Sequence, residues 1–493
     1  MKRLQEQNFR GLAKAANVSL SMVGVFCVLL LSYCIYYYHW TGNRHFTSLN
    51  GLIFYYGIPA VLAGISFASL RLHTLPKISL ALVLASTAVS VFAVNLFLTV
   101  SDTFFASNAT LWFRASDIGE ITKIAKEQGV KFDTRNKVDV IRDLRRRGID
   151  AVPAVLPAAL LMEQPDGSLK STIRINGTEV LPHGGVSNRF TVSCNEAGKY
   201  EFYESDEHGF HNPKGIWTSG RIDAVALGDS FTQGHCVASD KNFVALIRNH
   251  YSKTLNLGMW GEGPLTMLAT LTDYATWLRP RVVLWFFYEG NDIGDLRRER
   301  RSPLLMRYLT GQFSQRLVDR QYQIDQALLA FINAATSDFL SDGKERTLTE
   351  KIDATTLLMK RLVKLDSLRQ RLGLVYGDSQ QVNADADPVT KTLIDLLDTT
   401  LRKAKTSVDG WGGKLYFVYL PDRDRYVDPS AVYQRDEVLR TVKQMGIPLI
   451  DIHSVFRSQG DPLALFPFRR LGHYNERGHR IVAEEVLRQL SRE

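Results

Sequence analysis

The sequence predicts an α/β protein, a parallel sheet covered by helices on both faces, set behind three membrane-spanning helices. Three observations carry that reading. The N-terminal region holds three long apolar runs free of charged residues. The C-terminal half alternates short apolar strands with longer helical patterns. Glycine-rich or polar motifs follow successive strands at their carboxyl ends. At 493 residues the chain exceeds one ordinary core, so several domains are expected.

The apolar runs are Val18–Trp40, Leu52–Leu70 and Ile78–Val100, each near the roughly 20 residues a helix needs to cross about 30 Å of hydrocarbon. They define an anchor over residues 1–100. The first run follows Lys2, Arg3, Arg10 and Lys14, but it is too long for a signal peptide and no small-residue cleavage site follows it. Basic residues are retained on the cytoplasmic side. The N-terminal arm carries four, the first loop only Arg44, and the second turn is flanked by Arg71 and Lys77. The expected path is in, out, in and out, which makes the chain a multi-pass protein of the cytoplasmic (inner) membrane. Residues after about 101 then lie on the periplasmic or extracytoplasmic side, and the lipid bilayer is the first expected partner.

The formal net charge of +9 raises the question of nucleic acid. No basic run is interleaved with aromatics, and stretches such as Arg145–Arg147 and Arg297–Arg301 fit solvated helix faces. Nucleic acid is not an expected partner. Cys27 and Cys34 fall in the first apolar helix as small packing residues. Cys194 and Cys236 fall in the exported part, where an oxidising compartment permits a disulfide between them.

Residues 101–220 read as a small α+β lead-in. A polar and aromatic segment, Ser101–Ser116, precedes helical patterns at Ile118–Gln128 and Lys137–Arg147, which Pro153 and Pro157 interrupt. Short strands and turns follow, punctuated by Asn176-Gly177, Gly184-Gly185 and Asn212-Pro213. The sequons at Asn108 and Asn176 are read as coincidental. His208 and His211 stand three apart with Asp206 nearby, a spacing that holds zinc only if a third ligand arrives. No metal is expected there. No phosphate-binding or dinucleotide fingerprint occurs, so no cofactor is expected either.

Residues 221–493 carry the five predicted strands: Ala224–Leu227, Thr254–Leu257, Val282–Phe287, Leu415–Tyr419 and Leu449–Ile452. A helical insertion of about 296–409 separates the third from the fourth. It includes amphipathic stretches at Leu357–Leu372 and Val389–Ala404 and a polar break at Asp378–Asp387.

The first strand runs into Gly228-Asp229-Ser230-Phe231. A Ser at a strand's carboxyl end, with a helix starting behind it, faces free backbone N–H groups suited to an oxyanion. Asp229 and Ser230 would equally serve as helix caps. The second strand is followed by Gly258-Met259-Trp260-Gly261-Glu262-Gly263 and the third by Glu289-Gly290-Asn291-Asp292. Asn291 can donate a side-chain N–H, and the backbone of Ser230 and Gly261 can supply two more. Beyond the last strand comes Gly472-His473-Tyr474-Asn475; a neutral imidazole there suits the removal of a serine proton. His479 fits the helix that follows.

These four blocks, in this order, resemble the SGNH (GDSL-like) hydrolase superfamily, and the segment Tyr203–Trp217 looks like a lead-in found in its membrane-tethered members. The resemblance spans Asp223 to the C-terminus and implies a flavodoxin-like three-layer α/β/α domain. It implies Ser230 as nucleophile, His473 as base, and Ser230, Gly261 and Asn291 as oxyanion hole. The family places an Asp three residues before the His, where this chain has Arg470. Asp461 or Asp451 then stands as a displaced acid, a backbone carbonyl holds the ring in a Ser–His dyad, or activity is weak or lost. The expected function is an extracytoplasmic esterase acting on acylated carbohydrate, O-acetyl groups of envelope polysaccharide above all, or on small esters. Two alternatives stand beside it. A polysaccharide O-acetyltransferase would use the same residues, working with polysaccharide-assembly proteins, and a binding or assembly protein would have kept the fold without the chemistry.

Overall fold

The computed structural model describes residues 2–41, 52–109, 115–164, 166–340, 365, 368, 388–428 and 434–492. The chain divides into two compact units, Met1–Thr110 with Glu345–Gly377, and Leu111–Lys344 with Asp378–Glu493.

In the first unit, helices Lys2–Thr41 and Thr74–Ala109 flank a π-helical turn at Leu52–Gly57 and the helix Ile58–Ser69. Among the described residues three stretches are long and apolar enough to cross a membrane: Arg10–Tyr36, Leu52–Ser69 and Thr74–Leu98. The last helix runs on to Ala109, so most of the predicted exit segment continues it. Arg44 lies outside the described residues.

The second unit is built on five parallel strands: β1 (Ala224–Leu227), β2 (Thr254–Asn256), β3 (Val282–Tyr288), β4 (Lys414–Leu420) and β5 (Leu449–Asp451). Their order across the sheet is β2-β1-β3-β4-β5, with Trp285 of β3 opposite Leu227 and Phe417. This doubly wound order reverses direction between β1 and β3, which opens a crevice at their carboxyl ends. All five strands were expected, each to within a residue or so of its observed ends.

The strands are apolar throughout because both faces are buried. Val283, Trp285 and Phe287 of β3 enter one core with Leu415, Phe417 and Tyr419 of β4, while Leu284, Phe286 and Tyr288 enter the other with Tyr416, Val418 and Leu420. The first core is closed by helices Pro264–Thr270, Pro388–Gly410 and Arg435–Gln444, the second by Phe243–Arg248, Ile452–Arg457 and Glu476–Leu490. Three layers result. Of the predicted insertion, Val389–Ala404 lies within the helix Pro388–Gly410; Asp378–Asp387 and nearly all of Leu357–Leu372 lie outside the described residues.

The lead-in belongs to this same unit. Helix Lys137–Arg146 is capped by Asn136, whose side chain accepts from the Asp139 N–H at 2.8 Å. Strands Ala151–Pro153, Phe190–Val192 and Phe202–Glu204 form a small mixed sheet. Asn176 and Gly177, both with positive φ, turn the hairpin Arg174–Ile175/Thr178–Glu179, so the sequon there coincides with hairpin chemistry. Asn212 locks the lead-in onto β2. Its side chain accepts from Asn256 N at 2.7 Å and donates to Asn256 O at 2.8 Å.

Candidate active site

Ser230 opens the short helix Ser230–Gln233 directly beyond β1. The approach requires Gly228, since a Cβ there would stand 2.1 Å from Thr232 Oγ1. Asp229 does act as a cap, accepting from Phe231 N at 3.0 Å. Its other oxygen accepts from Asn291 Nδ2 at 3.3 Å, which aims the amide of the β3 loop towards the Ser-bearing turn. Because β1 lies between β2 and β3, Ser230 is flanked by the loop of Gly261 on one side and that of Asn291 on the other. Gly261 turns with φ +74°, under the side chain of Leu156.

His473 stands between the turn Pro467–Arg469 and the helix Glu476–Leu490. Its neighbours fix it: Tyr474 donates its hydroxyl to Pro421 O at 2.7 Å, and Asn475 caps the helix. His473 Nε2 lies 2.9 Å from Ser230 Oγ. On the far side of the ring, Nδ1 lies 2.7 Å from Glu196 Oε1, and the His473 backbone N–H donates to Glu196 Oε2 at 3.2 Å. A carboxylate only accepts, so Nδ1 carries the proton and Nε2 is free to accept from the serine hydroxyl. The result is a continuous Ser–His–Glu relay of hydrogen bonds.

The acid on the ring is therefore neither of those expected from the sequence. Asp461 forms a two-pronged pair with Arg469, at 2.6 and 2.8 Å. Asp451 is taken by Arg435 and by Ser454. Both are engaged where they stand, and the position left vacant by Arg470 is supplied from the lead-in.

Cys194 and Cys236 are joined in a disulfide. Cys194 lies two residues before Glu196, and Cys236 Sγ stands 3.6 Å from His473 Nδ1. Ser193 Oγ meets His235 Nδ1 at 2.9 Å. Behind His473 is a stack of rings: His235 lies 5.4 Å from it and Trp260 lies 4.7 Å beyond. The Lys137 ammonium sits 5.5 Å over Trp260, buried, with its pKa drawn down to about 7 by desolvation.

Two opposed effects act on the His473 imidazole. Burial disfavours its charged form, but the Glu196 charge and hydrogen bond, aided by Asp229, outweigh it and hold the pKa above the ordinary value. Burial pushes Asp229 up to about 6.

Of the residues that suggested a zinc spacing, the Asp206 carboxylate and the His211 ring are engaged by the protein itself. Asp206 Oδ2 accepts from Asn212 and Trp217, its Oδ1 from His208 N and Phe210 N, and His211 Nδ1 meets Gln233 O. Cys194, Cys236 and His235 cluster closely enough to hold an ion, but the two sulfurs are bonded to each other. His479 is a helix residue, its Nδ1 accepting from Phe243 N at 3.2 Å. A surface hollow of about 590 Å³ along Arg435–Gln444 shares no residue with the relay.

No family model matches the sequence. No curated protein matches it either. Among solved structures the chain is similar to a two-domain esterase active on acetylated mannans, co-crystallised with mannopentaose, at 11% identity and a TM-score of 0.30. That match covers 56% of this chain and 51% of the esterase, about half its length. A second similarity is to an α/β hydrolase from the metagenome of Lake Arreo, Spain, at 13% identity and a TM-score of 0.29, covering 56% of this chain and 97% of that one.

Proposed function

We propose that this chain is a membrane-anchored serine esterase of the SGNH type, acting outside the cytoplasm on acyl esters, with O-acetyl groups of cell-envelope polysaccharide as substrate class. The observation that carries the reading is the unbroken relay from Ser230 Oγ through His473 to Glu196.

Ser230 Oγ attacks the ester carbonyl carbon while its proton passes to His473 Nε2. Negative charge gathers on the carbonyl oxygen, which the N–H groups of Ser230, Gly261 and Asn291 receive. The intermediate collapses, the C–O bond to the alcohol breaks, and the alcohol leaves with the proton from His473. Water then attacks the acyl-serine, giving its proton to His473, and the carboxylic acid departs as Ser230 is restored. Glu196 holds the Nδ1 proton and stabilises the imidazolium that forms in each half-reaction.

The Glu196 carboxylate on the ring weighs against a binding protein that has lost its acid. Anchoring is supported by three helices of spanning length, and the outward placement by the distribution of basic residues around them. The polysaccharide substrate rests on the family resemblance and the exported setting.

The test is hydrolysis of short-chain aryl esters together with labelling by a fluorophosphonate. Wild type is expected to turn over and to label, and Ser230→Ala to do neither. Wild type that fails to label would reject the enzyme and favour the binding protein.

A further inference from the structure

We infer that the Cys194–Cys236 disulfide is a positioning device for the catalytic acid, so that full turnover requires this bond to be oxidised. The inference rests on the esterase reading of the relay.

Glu196 does not belong to the sheet that carries Ser230 and His473. It sits between the lead-in strands Phe190–Val192 and Phe202–Glu204, and among the described residues its carboxylate meets only His473. Its aim is therefore set by whatever fastens residues 193–198. Asn195 ties the far side to the lead-in itself, donating to Asp133 O at 2.8 Å and accepting from Gly198 N at 2.9 Å. The attachment to the α/β layers is made at Ser193, through His235, and covalently at Cys194, through Cys236.

Cys236 follows the Ser230–Gln233 helix and holds a left-handed backbone, φ +65°, a conformation a non-glycine residue keeps only when its surroundings enforce it. That turn brings Sγ to 3.6 Å from His473 Nδ1. The bond thus joins the serine's own turn to the acid's loop, on the edge of the ring they share. With the bond open, the left-handed turn can relax, and the Glu196 loop keeps its backbone bonds to Asp133 and Glu201 within the lead-in but is joined to the α/β layers through side-chain hydrogen bonds only, among the described residues.

The groups facing the His473 ring are Ser230, Glu196, Asp229, His235 and the Cys236 sulfur, which reduction turns into a thiol and Cys236→Ser into a hydroxyl that does not titrate, with His479 acting at longer range. Of these only Glu196 stands on the Cys194 side of the bond, while Asp229, Ser230 and His235 stand on the Cys236 side, so withdrawal of Glu196 leaves burial to lower the imidazole pKa. The expected signature is a shift of the acidic limb of kcat to lower pH, in addition to a lower plateau.

The experiment uses the full chain in detergent micelles with EDTA present, so that freed thiols cannot capture a metal beside His235. Cys27 and Cys34 are already free thiols, so a mild reductant changes this bond alone. Short-chain aryl-ester turnover is measured against pH for oxidised, reduced and reoxidised wild type, for Cys194→Ser/Cys236→Ser, and for Glu196→Gln. Reduction is expected to lower kcat at least tenfold and move the acidic limb to lower pH, with recovery on reoxidation. The double serine variant should match reduced wild type, and Glu196→Gln should show the shift already and respond little to reduction. Reversible reduction of wild type keeps the test valid if the serine variant fails to fold. Active wild type whose kcat and pH profile ignore confirmed reduction overturns this inference and leaves the esterase standing. A Glu196→Gln enzyme that loses the same further factor on reduction also overturns it, since the bond would then act elsewhere. Oxidised wild type that neither turns over nor labels sinks the esterase reading and this inference together.

Discussion

A carboxylate that, among the described residues, meets only His473, at its ring and its backbone N–H, is placed to fix that ring's tautomer and charge. Glu196→Gln removes the charge and offers an amide that can donate to Nδ1, favouring the tautomer whose Nε2 is blocked. A loss of about a thousandfold or more in kcat is expected. The sign of the pH effect follows from the forces on the ring. His473 must be neutral to accept the serine proton, and its pKa is raised, so activity fails on acidification at a higher pH than an ordinary imidazole would dictate. Without Glu196 only burial acts strongly, and that lowers the pKa; the pH–rate profile of the variant should therefore extend further to the acid side. Asn291→Ala removes one oxyanion donor and should cost about a hundredfold in kcat with folding intact, as single-turnover kinetics would show. Ser230, Gly261 and Asn291 were legible as candidates because each lies in a loop that follows a strand, and His473 because it stands beyond the last strand, just before a helix. Glu196 was not, since no motif marks it and its loop belongs to another layer. The one available signal was Cys194, whose bond to Cys236 carries its neighbours to the Ser230 turn.

At the level of elements, the glycine-rich loop after β2 is held by a single buried acid from the helix after β3. Glu299 accepts from the backbone of Gly263, Leu265 and Thr266, at 2.8, 2.9 and 3.3 Å, which satisfies the free N–H groups where helix Pro264–Thr270 begins. Glu299→Ala should cost about 3 kcal/mol or more by leaving buried donors unpaired, read as a fall in the urea midpoint, and should slow turnover by loosening Gly261. The strands were legible because burial on both faces makes each an unbroken apolar run. Their order across the sheet was not legible, since parallel pairing leaves no mark in local sequence. The acid's element escaped notice for a related reason: short strands at Phe190–Val192 and Phe202–Glu204 alternate weakly and take their meaning from what they dock against.

For the whole molecule, the disulfide closes a loop with a sequence separation of 42, worth up to about 4 kcal/mol in the chain-entropy model. Reduction should lower the unfolding midpoint of the oxidised protein. A reporter fused to the C-terminus is expected to read an extracytoplasmic location, and a cytoplasmic signal would reverse the assigned orientation. The division at residue 220 expected from sequence does not separate compact bodies, because the lead-in and the sheet share one unit.

The outer margin of β2 is plugged by side chains. Asn212 offers Asn256 the same acceptor and donor that a neighbouring strand would, and the Arg248 guanidinium covers the Thr254 carbonyl at 2.9 Å. Tethered proteins diffuse in two dimensions and collide often, side by side, at effective concentrations that would punish an open ladder. A margin sealed in this way gives colliding copies no template to zip onto, so under the proposed anchoring, crowding in two dimensions need not end in cross-strand aggregation.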